Sequence, residues 1–269
     1  MRVPMLKRLL ITGAGGGLGR MARQRLAHLA ETLRVSDIAD LGPAGAGEEV
    51  VQCDLGDKRA VESLVEGCDG IVHLGGQSVE DRFSVIANAN IHGVFHVYEA
   101  ARRHGCNRIF LASSNHVVGL YRQDQYLDHT AVPMPDTLYG LSKHFAEGLA
   151  RMYHHRFGIE TAIVRIGSCF PRPVDRRMLA TWLSPDDFVS LVERVFAVPR
   201  LGCPVIYGIS DNDDRWWDNS HVGYLGWRPK DNSAVYREEV CAKAPPPAKD
   251  SVEALYQGGL FVAEPIREE

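Results

Sequence analysis

The apolar run Leu9-Leu10-Ile11 leads straight into Thr12-Gly13-Ala14-Gly15-Gly16-Gly17-Leu18-Gly19, and a helical pattern follows. A buried strand that turns on glycines into a helix start opens a parallel sheet. It leaves free backbone N–H groups and the positive end of a helix dipole facing an anion. In such a turn Gly13 permits the tight bend, Gly16 lets phosphate oxygens approach the backbone, and Gly19 lets the helix pack closely. The spacing reads T-G-x-x-G-x-x-G rather than G-x-G-x-x-G. Gly15-Gly16-Gly17 holds more glycine than the bend requires, which predicts a more mobile turn. A second strand, Leu33 to Ser36, ends in Asp37. At that distance from the first glycine an acid bonds the adenosine ribose hydroxyls, and its charge repels a 2′-phosphate. NAD is therefore expected rather than NADP. Asp40, deeper in the loop, is the competing acid.

Strand and helix periods alternate along the chain, which predicts an α/β fold with a doubly wound parallel sheet covered on both faces. Strands are expected at 8–14, 33–37, 50–54, 70–75, 108–114, 160–167 and 203–209, and helices at 17–30, 58–66, 83–104, 138–157 and 185–197. After residue 170 the pattern loosens at Phe170-Pro171-Arg172-Pro173, and Pro245-Pro246-Pro247 stiffens a late linker. These breaks divide the chain into a dinucleotide-binding domain, 1–170, and a small substrate-binding lid with a tail, 171–269, whose strand 203–209 returns to the main sheet. The formal net charge of −4, with acids and bases interspersed, gives no nucleic-acid surface. No apolar run is long enough for a bilayer, and Leu9 to Ile11 is too short for a signal-peptide core. The six cysteines, Cys53, Cys68, Cys106, Cys169, Cys203 and Cys241, form no C-x-x-C pair. They signal no zinc or redox site and read as reduced, so a cytoplasmic location is expected.

The segment Leu138-Tyr139-Gly140-Leu141-Ser142-Lys143 opens a long helix. Tyr139 and Lys143, four apart, share a helix face. A tyrosine titrates near ~10, and a neighbouring ammonium favours its phenolate, so Tyr139 is expected to be acidified into a general base. The strand ending in Ser113-Ser114-Asn115-His116 brings Ser114 to the edge of the cofactor crevice, where it can donate a hydrogen bond to a reacting oxygen.

Glycine turn, strand-end serine and Y-x-x-x-K in this order resemble the short-chain dehydrogenase/reductase superfamily. The glycine spacing and the S-S-x-x-x-x-G run resemble its extended branch, the NAD-dependent epimerases and dehydratases. Within it, His73-Leu74-Gly75-Gly76-Gln77-Ser78-Val79, Ala112 to His116, Arg165 to Cys169, Arg176 to Leu179, Gly202 to Val205, Trp216 to Ser220 and Gln257-Gly258-Gly259 look like the uronate dehydrogenase family. That resemblance implies NAD-dependent oxidation of a hexuronic acid, galacturonate or glucuronate, at C1 to the aldarolactone. Tyr139 would be the base, Lys143 would hold the nicotinamide ribose, and Ser114 would complete the catalytic set. Gly13, Gly16, Gly17 and Leu18 would lie along the pyrophosphate. Asp37 and Ile38 would meet the adenosine ribose, with Asp54 and Leu55 at adenine. Leu74, Gly75 and Gly76 would line the ribose side, and Ile166 and Cys169 the nicotinamide. Ser78, Ser114, Asn115, His116, Ser168 and Arg177 would bind the substrate, Arg177 taking its carboxylate, with Arg172 and Arg176 as alternatives. No metal is expected. The helices 83–104 and 138–157 often pair between subunits in this superfamily, which implies a homo-oligomer. The alternative function is a nucleotide-sugar epimerase or dehydratase with the same Tyr139 and Lys143. Other conspicuous groups have plainer readings. His73 is expected to be a hydrogen-bonded core histidine, Trp216-Trp217 aromatic packing in the lid, and Asp211, Asp213 and Asp214 a solvated loop.

Overall fold

The computed structural model describes residues 6–268. Strand β1 (Leu6–Thr12) is apolar on both faces because it becomes the centre of a sheet: Leu9, Leu10 and Ile11 are fully buried. It is followed by α1 (Gly17–Arg25), β2 (Ala30–Asp37), β3 (Glu48–Gln52), α2 (Lys58–Val65) and β4 (Gly70–His73). Next come α3 (Phe83–Ile86), a π-turn at Ala87–His92, α4 (Gly93–His104), β5 (Arg108–Ser114), α5 (Leu138–Phe157) and β6 (Glu160–Ile166). The short β7 (Ser168–Cys169), α6 (Met178–Thr181) and β8 (Trp182–Leu183) precede α7 (Pro185–Ala197) and β9 (Val205–Gly208). Seven strands pair in parallel in the order β3-β2-β1-β4-β5-β6-β9, as the alternating periods predict. The direction of winding reverses between β1 and β4. Their carboxyl ends, Thr12 and His73, stand in register there and open a crevice.

Two apolar cores cover the sheet. On one face α1 and α7 pack against Leu9, Ile11, Val72 and Phe110; on the other α2, α4 and α5 pack against Leu10, Ile71, Ile109 and Ile163. Helix α7 is capped by Ser184, whose hydroxyl accepts from Asp187 N, and starts with Pro185. Its Phe188 meets Phe110 edge to face at 5.6 Å. The boundary expected at 170 therefore does not separate two cores, because α7 completes the main body. Beyond 211 the chain runs outside the strand order, adding Val222, Leu225 and Trp227 to the α7 core before α8 (Arg237–Lys243) and α9 (Val252–Leu255). Trp217 is buried there, stacked on Tyr207 at 5.2 Å, which is packing as expected. Asp211 and Asp214 pair with Arg215 and Arg237. No described helix is long and apolar enough to cross a membrane.

Two helices differ from expectation. The helix expected at 17–30 stops at Arg25, followed by a single 3₁₀ turn, and Ala30 already pairs with Leu6. Leu26 and Leu29 imitate a continuing helical stripe, yet they are buried by the turn into β2. The helix expected at 83–104 contains the π-turn, whose extra residue aims Asn90 inward. Asn90 Oδ1 accepts from Gln77 N (2.7 Å), and Asn90 Nδ2 donates to Ser142 Oγ (2.8 Å) on α5.

The glycines of the first turn are not equivalent. A Cβ on Gly19 would lie 1.9 Å from Gly13 O, one on Gly13 (φ 72°) 2.7 Å from Gly75 N, and one on Gly17 would meet nothing within 4 Å. Gly19→Ala is expected to lose at least about 1–3 kcal/mol in urea denaturation. Gly17→Ala, at a helix start, is expected to be neutral or to gain up to about 1 kcal/mol.

Candidate active site

The carboxyl ends of β1, β2, β4, β5 and β6 open into one cleft of about 1540 Å³, and every site residue expected from the sequence lines it. At one end the glycine turn reaches α1, which Gly16 caps without any side chain, so the helix-start N–H groups face the cleft. Asp37 closes that end: its Oδ2 accepts from Gly15 N at 2.8 Å and its Oδ1 from Ala39 N at 3.0 Å. Ile38, Asp54 and Leu55 lie beside it, while Asp40 accepts from Gly42 N (2.8 Å) in an exposed loop and is not among the lining residues. Gly75 and Gly76 bring β4 against the turn. Gly76 has φ 136°, and a Cβ there would sit 2.5 Å from Asn90 Oδ1.

In the middle of the cleft stand Tyr139, Lys143 and Ser114. Thr137 caps α5 by accepting from Gly140 N (3.0 Å), and buried Glu80 accepts from Tyr139 N at 2.8 Å, placing a carboxylate on the helix start. Lys143 Nζ donates to Ala112 O at 2.9 Å and lies 5.7 Å from the Tyr139 ring centre. The Ser114 hydroxyl stands near enough to the Tyr139 phenol to favour its ionised form. The phenol is not acidified as the sequence reading expected. Burial pushes it up to about 12, Ser114 pulls it down, and Asp136 pushes it up further. Burial also lowers Lys143 to about 8. Removing water disfavours both charged forms, and in this structure that outweighs the helix-face pairing.

At the far end β7, α6 and the tail close the cleft. Asn115 donates to Ile166 O (3.1 Å) and accepts from Arg177 Nη2 (2.6 Å) in the amide orientation its neighbours require. Arg177 Nε donates to Gln257 O at 2.7 Å. Burial pulls the Arg177 guanidinium below its ordinary range, and no carboxylate lies within ion-pair distance of it among the described residues. Arg176 instead donates to Ala244 O (2.7 Å), and exposed Arg172 faces Glu239. Arg177 is thus the arginine that lines the cleft. Ser168 Oγ shares a hydrogen bond with Thr181 Oγ1 (2.9 Å), and Ser78 lies on the opposite lip. His73 keeps out of the chemistry: Thr12 Oγ1 meets its Nδ1 at 2.8 Å, and burial pushes it down to about 3.

Five residues here were given no role by the sequence reading: Glu80, Asn90, Asp136, Gln257, which it quoted only as part of a resembling run, and Phe261. Asp136 pairs with His116 Nδ1 at 2.6 Å, and Phe261 stacks on the His116 ring at 4.0 Å. Their only local signal is Asp136 standing directly before the capping Thr137. The other contacts join segments far apart in sequence. Cys169 lines the cleft with its thiol pushed up to about 12 by burial, and burial likewise raises Cys53, Cys68, Cys106 and Cys203 to between about 11 and 12. Thiols so raised hold almost no thiolate at pH 8. Iodoacetamide at that pH is expected to leave all five unmodified in the folded protein, as read by peptide mass spectrometry.

Residues 9–184 match the model of the NAD dependent epimerase/dehydratase family. The chain is 57% identical to a uronate dehydrogenase of Agrobacterium fabrum over 97% of its own length and 98% of that protein's. It is 54% identical to one from Pseudomonas putida, over 99% and 100%. A crystal structure of a mutant uronate dehydrogenase from Agrobacterium tumefaciens complexed with NAD superposes with a TM-score of 0.97 at 56% identity, covering 98% of this chain and 99% of that one. A sheet reversing at a glycine turn, with tyrosine and lysine on the helix behind it, is thus an inherited frame, and the chain belongs to the NAD-dependent epimerase/dehydratase family.

Proposed function

We propose that the protein is an NAD-dependent dehydrogenase that oxidises a hexuronic acid, galacturonate or glucuronate, at C1 of the ring to the aldarolactone. The observation that carries the substrate assignment is Arg177, a guanidinium turned into the cleft whose hydrogen-bond acceptors among the described residues are the neutral groups of Asn115 and Gln257. A desolvated cation without a counter-charge is costly, and a planar carboxylate completes it bidentately. The near-full-length likeness to uronate dehydrogenases supports the same reading.

The cofactor end fits a dinucleotide. Cβ positions at Gly16 and Gly17 meet nothing closer than 3.5 Å, so diphosphate oxygens can approach the backbone there. Gly13, Gly16, Gly17 and Leu18 would hold the diphosphate, Asp37 and Ile38 the adenosine ribose, Asp54 and Leu55 the adenine, Leu74, Gly75, Gly76 and Lys143 the nicotinamide ribose, and Ile166 and Cys169 the ring. NAD bound there supplies the hydride acceptor. Tyr139 takes the proton of the anomeric hydroxyl, and Ser114 holds that oxygen against the phenol. Lys143, fixed on Ala112 O, presents an ammonium that favours the phenolate as the base forms. Ser78, Asn115, His116 and Ser168 orient the sugar. The segments around β7, α6 and the tail act as the substrate-side lid. Six free cysteines support a reducing, cytoplasmic compartment.

Mixing the protein with galacturonate and NAD is expected to yield reduced nicotinamide in step with uronate consumed. No reduction at any uronate concentration would shift the assignment to an epimerase or dehydratase, which restores its cofactor within each cycle. Tyr139→Phe is expected to abolish nearly all turnover while the NAD Kd stays unchanged. Arg177→Met is expected to lower kcat/KM for uronate by two orders of magnitude or more, on the about 2–5 kcal/mol typical of truncating one partner of a buried charge pair.

The homo-oligomer reading rests on an apolar groove of about 570 Å³ between α3, the π-turn and α5, lined by Phe83, Ile86, Leu138, Leu141, Phe145 and Met152. A second copy of the chain covers it in this proposal. Phe145→Glu is expected to reduce the assembly to monomers in light scattering coupled to size exclusion; a wild-type monomer would refute it.

A further inference from the structure

The carboxylate of Asp136 is completely buried, and three glycines from three segments make room for it. A Cβ on Gly119 or on Gly258 would lie 1.9 and 2.1 Å from Asp136 Oδ2, and one on Gly140 would lie 3.0 Å from Oδ1. The Asp136 oxygens receive Thr137 Oγ1 (3.0 Å) and meet His116 Nδ1 (2.6 Å). A carboxylate only accepts, so the proton on the imidazole is drawn to Nδ1, and in the neutral ring Nε2 keeps its lone pair. No protein atom among the described residues is hydrogen-bonded to His116 Nε2, yet the ring lines the cleft.

Phe261 covers one face of the His116 ring, stacked at 4.0 Å, and the Tyr139 ring meets it edge-on at 5.8 Å. The Arg177 cation disfavours a second positive charge on it, and burial acts in the same direction, whereas Asp136 opposes both. Burial prevails and holds the ring below its ordinary titration range, which favours the neutral imidazole.

We propose that Asp136 is a positioning residue that holds His116 as the Nδ1–H tautomer, so that Nε2 accepts a hydrogen bond from a hydroxyl of the sugar acid while Arg177 alone takes the carboxylate. This rests on the uronate reading of the cleft, and it divides the substrate between two sensors. A neutral acceptor reads a hydroxyl and cannot stand in for the missing counter-charge of a carboxylate. Asp136 touches neither substrate nor cofactor and acts through the imidazole.

The test begins with the full-length protein carrying isotope-labelled histidine nitrogens, without substrate, near pH 7. Nitrogen–proton correlation NMR distinguishes the two tautomers and the doubly protonated ring, and His116→Gln identifies the signal by its loss. A protonated Nδ1 with a bare Nε2 is expected; a protonated Nε2, or both nitrogens protonated, overturns the proposal. Because no substrate is used, this outcome is independent of whether the protein turns over uronates. Asp136→Asn, which keeps size and removes charge, is then expected to raise KM for galacturonate by about tenfold, the scale of one charge-assisted hydrogen bond, with the NAD Kd unchanged. An unaltered KM overturns the assignment, and so does an equal weakening of NAD, which would mark a merely structural role. Should the variant fail to fold, the wild-type tautomer decides alone.

Discussion

Helix α5 carries Tyr139, Lys143 and Glu147 at successive four-residue steps, and the last of these fixes where the first two stand. Glu147 is fully buried; its Oε1 accepts from Ser113 Oγ (2.7 Å) and Arg165 Nε (2.9 Å), and its Oε2 from Arg165 Nη2 (2.8 Å). Arg165 in turn donates to Tyr207 OH (3.2 Å), so α5 is tied to β5, β6 and β9 through one saturated network. Removing one partner of such a pair typically costs about 3–5 kcal/mol, since the other charge is left dry. Desolvating the pair offsets most of its attraction, so its effect is better described as register than as net stability. With Lys143 bonded to Ala112 O one turn earlier, the helix has no freedom to slide along the sheet. The phenol beside Ser114 is held by this lattice and not by its own contacts alone.

The opposite wall of the cleft depends on a segment from the other end of the chain. Gln257, fully buried, donates Nε2 to Arg122 O (3.0 Å) and Gln125 O (2.9 Å) and accepts from Trp217 Nε1 (2.7 Å). Its backbone carbonyl holds Arg177, and the next residue, Gly258, donates to Gly119 O at 2.8 Å. An amide plugged into loop carbonyls satisfies backbone groups that would otherwise be buried unpaired. The tail therefore packs within its own chain, and one peptide unit couples it to the arginine, to the loop after β5 and, through Phe261, to His116.

The sheet was legible because its information is local. Apolar runs end in glycine or in a polar strand end, and helical stripes alternate with them. Asp37 could be found by its distance from Gly13, and Tyr139 and Lys143 by the helix repeat. The electrostatic consequence of that repeat was not legible. Spacing reports that two groups share a face, while burial decides which charge state each prefers, and for Tyr139 burial dominates. The π-turn was likewise hidden: no residue of Ala87–His92 is unusual for a helix, and the reason for the extra residue is a loop at Gln77 that Asn90 must reach. Asp136, Glu80 and Phe261 are defined by partners across the fold, so their roles exist only once it has formed. The boundary at 170 failed for a related reason. The proline-rich break is real, yet α7 beyond it carries the apolar stripe that one face of the sheet requires.

Arg165 and Arg177 obey opposite rules. Arg165 is surrounded by acceptors, including both oxygens of a carboxylate, and contributes geometry. Arg177 is half-buried, its hydrogen-bond acceptors among the described residues are an amide oxygen and a peptide carbonyl, and the acids that act on it, Asp175 and Asp136, do so at a distance. Asp136 is committed to His116 and sealed by Gly119, Gly140 and Gly258, so it cannot swing over to neutralise the guanidinium. Local consistency is broken there, and such a break is where a fold gives up stability for a ligand. The glycines around Asp136 thus serve the arginine as well as the histidine: by locking the nearest acid away, they keep a positive charge available to an incoming carboxylate.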